Sequence, residues 1–198
     1  VRVTANAVDS SATSVLFNFH AMQLLSILPE FGPEHGDTHV RVTGVHLDYA
    51  VCIFGTRHVP STSINSTMMV CSSPPASTGI VSVRLASSWD FSITSSHVNF
   101  TFVRTPQLHS ISPSSGPILG GRAVTLVGLN LIALRGAQKQ RSGTTANCRF
   151  GDVHMPATVL NSTFAVCESP TARTGSVAFE FSVNGQDYTS SGTVFEIV

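Results

Sequence analysis

The chain contains a single Lys, and its charged residues make up only 11% of 198, with 11 basic and 11 acidic side chains in balance. It therefore lacks the cationic excess that neutralising a phosphate backbone requires, and nucleic acid is not an expected partner. The nearest basic cluster is Arg135, Lys139 and Arg141, three cations in one loop. No run of about 18 apolar residues occurs, so no membrane insertion is expected of this stretch. Nor does a charged-then-apolar leader precede the opening "VRVT", and the chain reads as a piece of something longer. There are four Cys but no C-x-x-C pair to nucleate a zinc site. The G-x-S-x-G elbow of hydrolases is missing and the carboxylates are scattered, so no catalytic residue is expected. The closest approach to a metal cluster is "EHGDTH", with His35, Asp37 and His39. That spacing straddles a Gly-containing turn instead of sharing a helix face, and a solvated polar loop is the expectation, with no metal and no cofactor.

What is present is a repeat. Laying 52–79 over 148–175 needs no gap, and 16 of the 28 positions are identical, which decides for duplication over chance. The shared frame reads Cys-x-Phe-Gly, His-x-Pro, Asn-Ser-Thr, Val-Cys, Ser-Pro and Thr-Gly. Upstream, "SILPEFGPEHGDTHVRVTG" matches "SISPSSGPILGGRAVTLVG", with 12 more residues before the first Cys of the second copy. Residues 1–22 resemble the closing hairpin of a preceding copy, and 23–105 and 106–198 make two complete ones. His58 and His154 recur two residues before Pro60 and Pro156, which marks them as framework or strand-surface residues.

Cys52 and Cys71 are 19 apart, as are Cys148 and Cys167. Four Cys allow three connectivities, and only the within-copy pairing respects the repeat, so disulfides Cys52–Cys71 and Cys148–Cys167 are expected. Asn65, Asn99 and Asn161 head N-x-S/T sequons, two of them at one offset from a Cys. Disulfides and sequons together point to the secretory pathway and an extracellular or cell-surface address. Asn65 and Asn161 are expected to be exposed, on the same face of their respective copies.

"HVRVTG", "AVTLVG", "VSVRL" and "VAFEFSV" alternate apolar and polar, the period of half-buried strands. Gly-Pro, Pro-Pro and Asn-Gly pairs punctuate them about every ten residues, which predicts an all-β sandwich. Pro-x-x-Gly-Pro, a following Gly-Gly or Gly-Asp, a strand ending in Gly, Cys-x-Phe-Gly, Cys-x-x-Pro and a late Asn-Gly resemble the IPT/TIG domain. That resemblance implies tandem early-set immunoglobulin-like sandwiches. Two departures stand out: Asp37 replaces the second Gly of its pair, and "ASSWDF" replaces the Asn-Gly hairpin in the first complete copy.

Two features suggest contacts. Trp89, the only Trp, falls where the late hairpin of the first copy should turn. The longer loop of the second copy, 131–146, pairs an apolar start (Leu131, Ile132, Leu134) with a basic tip carrying Arg135, Lys139 and Arg141. The predicted function is non-catalytic: a stalk, fibre or scaffold segment of a large extracellular glycoprotein. A ligand-binding receptor ectodomain of the plexin type, or an accessory module of a secreted enzyme, is the alternative. Expected partners are neighbouring modules of the same chain, other copies, and extracellular proteins or glycans. A connector of about five residues around Pro106 predicts that successive modules extend instead of folding back.

Overall fold

The computed structural model describes residues 21–88, 92–94, 96–131 and 146–198. The hairpin expected within 1–22 therefore lies almost wholly outside the described residues. All elements among those described are strands. In the first module these are β1 (Gln23–Leu28), β2 (Phe31–Pro33), β3 (His39–Val45), β4 (Ala50–Phe54), β5 (Arg57–Val59), β6 (Ser61–Asn65), β7 (Met68–Ser72), β8 (Gly79–Ser87) and β9 (Val98–Val103). They form two sheets, ordered β1-β3-β7-β6 and β2-β9-β8-β4-β5. The second module repeats the plan with β10 (Gln107–Ser112), β11 (Ser115–Gly116), β12 (Ala123–Leu129), β13 (Asn147–Phe150), β14 (Val153–Val159), β15 (Phe164–Glu168), β16 (Gly175–Ser182) and β17 (Val194–Ile197).

Alternation drives the layering. Val40 and Val42 of β3, like Val124 and Leu126 of β12, are fully buried while their neighbours face outward. The Phe of each Cys-x-Phe-Gly centres its core. Phe54 meets Phe100 edge-on at 5.3 Å, and Phe150 meets Phe179 at 4.8 Å.

The recurring His-x-Pro sits where one strand changes sheets. In the second module β14 pairs with β13 through 153–156 and with β15 through 157–159, which joins everything into one eight-stranded sheet. Pro156 stands at the crossover, where its missing N–H costs no ladder bond that a central position would need. In the first module Pro60 splits the same path into β5 and β6. The crossover draws the two layers together there. Cys148 pairs with Met155 and Cys167 with Ala157, two residues further along β14. The Cys148–Cys167 disulfide closes that corner with its Cα atoms 6.3 Å apart, and Cys52–Cys71 does so at 6.4 Å.

The Gly pair and its departure have a geometric basis. A Cβ on Gly36 would stand 2.6 Å from the Pro75 nitrogen, and one on Gly120 2.6 Å from the Pro170 carbonyl carbon, so both positions require Gly. The next position needs only a left-handed backbone, with φ of 70° at Asp37 and 76° at Gly121, and a Cβ on Gly121 would meet nothing. Asp is among the residues that tolerate this conformation, so the substitution survives. The Ser of each Cys-x-Ser-Pro is buried and holds the facing strand. Ser73 Oγ accepts from Thr38 N, and Ser169 Oγ accepts from Arg122 N, both at 3.1 Å.

Candidate inter-module interface

Three residues, 104–106, connect β9 to β10. So short a connector sets the end of the first module that carries Phe31, Thr38 and Val103 against the end of the second that carries the loop after β16. Apolar contact comes first: Phe31 and Val103 are buried in the same cluster as Leu108, Val183 and the core of the second module. Thr105 is then clamped from both sides. Its carbonyl accepts from Asn130 Nδ2 of the second module at 3.1 Å, and its hydroxyl lies 3.1 Å from His35 Nδ1 of the first.

The hairpin Asn184–Asp187 supplies the polar half of the junction. Buried Asn184 organises it: Oδ1 accepts from Gln186 N at 3.1 Å and Asp187 N at 2.9 Å, while Nδ2 donates to Asp187 Oδ2 at 2.7 Å. The same Nδ2 crosses the junction to the carbonyl of Phe31 at 3.2 Å. Thr38, fully buried, donates its hydroxyl to Asp187 Oδ2 at 2.7 Å, a charge-assisted bond. Gln186 reaches furthest. Its Oε1 accepts from His39 N at 2.8 Å and its Nε2 donates to His39 O at 3.1 Å. β1 leaves the ladder after Leu28, opposite Arg41, and the Gln186 amide takes the next place along β3, as a strand backbone would. Among the described residues no buried side-chain nitrogen or oxygen lacks a partner, so this network is satisfied.

The stem of the hairpin is braced from the outer sheet face. Tyr188 bridges to Ser182, takes the Arg149 guanidinium over its ring at 4.6 Å and places its hydroxyl 2.7 Å from His154 Nδ1. Arg149 is paired with Glu180. Burial holds the Tyr188 phenol above its ordinary pKa, against the opposing pull of Asn147 and Arg149.

The structure relocates one sequence expectation and adds to another. The His35, Asp37 and His39 side chains of "EHGDTH" are exposed, as expected of a polar loop, but Thr38 between them is buried and both backbone groups of His39 are bonded across the junction. Leu131, offered as a contact residue of the long loop, is a core residue, fully buried like Leu47, its N–H donating to Ser162 O. The side chain plugs the end of the sandwich, where apolar burial outweighs any surface role. Ile132, Leu134, Arg135, Lys139, Arg141 and Trp89 lie outside the described residues. Asn65 and Asn161 sit exposed at equivalent turns, β6–β7 and β14–β15. Asn99 is exposed on β9, beside a shallow groove bordered by Leu25, Ile27 and Glu30. Of the junction residues, Asn184 and Gly185 carried a sequence signal as a turn, and His35 and His39 one as a polar cluster. Phe31, Thr38, Gln186 and Asp187 gave none beyond differing between the two copies at equivalent positions.

A family model described as IPT/TIG domain matches residues 22–102 and 106–197. Plexin-A2 of Mus musculus is 30% identical over 164 residues, covering 78% of this chain and 8% of the relative. Plexin-2 of Caenorhabditis briggsae is 28% identical over 163 residues, covering 80% and 9%. The chain thus spans less than a tenth of the length of these relatives. In structure it is similar to the full extracellular region of Plexin A4, with a TM-score of 0.58 at 18% identity over 93% of this chain and 17% of that one. That likeness is one of fold.

Proposed function

The chain belongs to the IPT/TIG domain family, and from that membership we propose that it is a non-catalytic segment of a receptor-like extracellular protein, in which the two modules act as one stiff spacer. The observation that carries the reading is the junction, where a three-residue connector and the Asn184–Asp187 hairpin tie the modules end to end. A stiff unit fixes the distance and direction between whatever flanks it, which a flexible tether would not. Two intramodule disulfides support an oxidising compartment. Likeness to plexin sequences favours a receptor ectodomain over a repetitive fibre. Antibody raised against the folded pair tests the placement: it should stain intact cells that express the parent protein, and staining only after permeabilisation would contradict it.

A further inference from the structure

The two sequon turns share a surface feature. In each, the Asn is flanked by side chains that are apolar yet exposed: Leu160 is 60% and Phe164 41% exposed around Asn161, and Ile64 is 57% exposed beside Asn65, with Met68 half-buried. Single exposed apolar residues are ordinary. Here an apolar pair recurs at equivalent positions in both copies although the residues themselves have changed, Ile to Leu and Met to Phe.

The turn also fixes the Asn. Asn161 Oδ1 accepts from Thr163 N and Thr163 Oγ1 at 2.8 Å and from Phe164 N at 2.9 Å. Asn65 Oδ1 accepts from Thr67 N at 2.9 Å and Thr67 Oγ1 at 2.8 Å. Because the amide is planar, an oxygen held in the turn sets Nδ2 on the opposite side. Leu160 and Asn161 both donate their N–H to the Phe164 carbonyl, which places Leu160 and Phe164 on the two arms of this narrow turn.

We infer that the turn is built to seat a sugar: the first N-acetylglucosamine of a glycan on Asn161 lies over Leu160 and Phe164, and that on Asn65 over Ile64 and Met68. Such a sugar has an apolar C–H face suited to an aromatic or aliphatic platform and a polar rim that stays in water. Attachment forms a bond between Nδ2 and C1 of the sugar, carried in as an oligosaccharide on a lipid pyrophosphate. The C1–O bond breaks, its electron pair leaves with the pyrophosphate, and the Nδ2 proton passes to a base of the transferase. The inference rests on the extracellular placement proposed above, because a chain meets that donor only on its way through the secretory pathway.

The test uses the 198-residue chain secreted from a glycosylating host, with N65Q and N99Q introduced to leave one sequon. Intact mass should show a glycan on Asn161. After trimming to a single sugar, Tm should exceed that of N161D, the chemical product of complete deglycosylation, by about 2–4 °C. The gap should disappear when L160S and F164S are added, and shrink with F164A alone. A gap of zero in the parent, or one unchanged in the Ser variant, overturns the inference. So does an unmodified Asn161 in a secreted chain with both disulfides formed, an outcome that leaves the extracellular reading standing.

Discussion

At the scale of single residues, the junction depends on amides and threonine hydroxyls more than on formal charge. Asn184 is the most committed, since it orders its own hairpin and caps the Phe31 carbonyl. Asn184→Ala should cost about 2–4 kcal/mol in urea unfolding, because it leaves buried backbone groups unpaired. Gln186→Ala should cost only about 1 kcal/mol, since the His39 groups it frees lie at an exposed site where water replaces the amide. A larger loss for Gln186→Ala than for Asn184→Ala would invert this ranking. The glycine pair gives a second contrast. Asp37→Gly should stabilise by about 0.5–1 kcal/mol by relieving a left-handed φ, whereas Gly36→Ala should destabilise by more than that through a backbone clash. Thermal melts of the two variants should move in opposite directions.

At the scale of elements, the crossover strand and its disulfide form one device. Pro60 and Pro156 mark where the path leaves one sheet for the other, and the cystines lock the corner that results. Opening Cys148–Cys167 by double Cys→Ser substitution should cost about 3 kcal/mol, the chain-entropy figure for a loop of this size. Non-reducing peptide mapping of the wild type should recover Cys52–Cys71 and Cys148–Cys167, and a Cys52–Cys148 peptide would contradict the structure. Much of this was legible because it is local. Alternation in "HVRVTG" and "AVTLVG" named strands, and equal Cys spacing within equal frames named the pairing. Leu131 was misplaced because it adjoins a stretch that differs between the copies, although its counterpart Leu47 holds the same core position. The junction was illegible for a different reason. Thr38 meets Asp187 across 149 positions, and no period or spacing encodes a contact between modules.

At the scale of the molecule, the two sandwiches become one body only if the hairpin stays docked. The connector alone limits folding back, while Phe31, Val103 and the Asn184–Asp187 network remove the remaining freedom. A compact single domain of this length would have a radius of gyration of about 16 Å, and two modules end to end should exceed it clearly, at about 20 Å or more in small-angle scattering. Scattering reports extension but not stiffness, and stiffness is what the spacer role requires. Residual dipolar couplings measured on both modules in a weakly aligning medium address it directly. One alignment tensor should fit the amides of the described strands of both modules together, and the N184A/Q186A/D187A variant should need two. Two tensors of different magnitude in the unaltered chain would contradict the account.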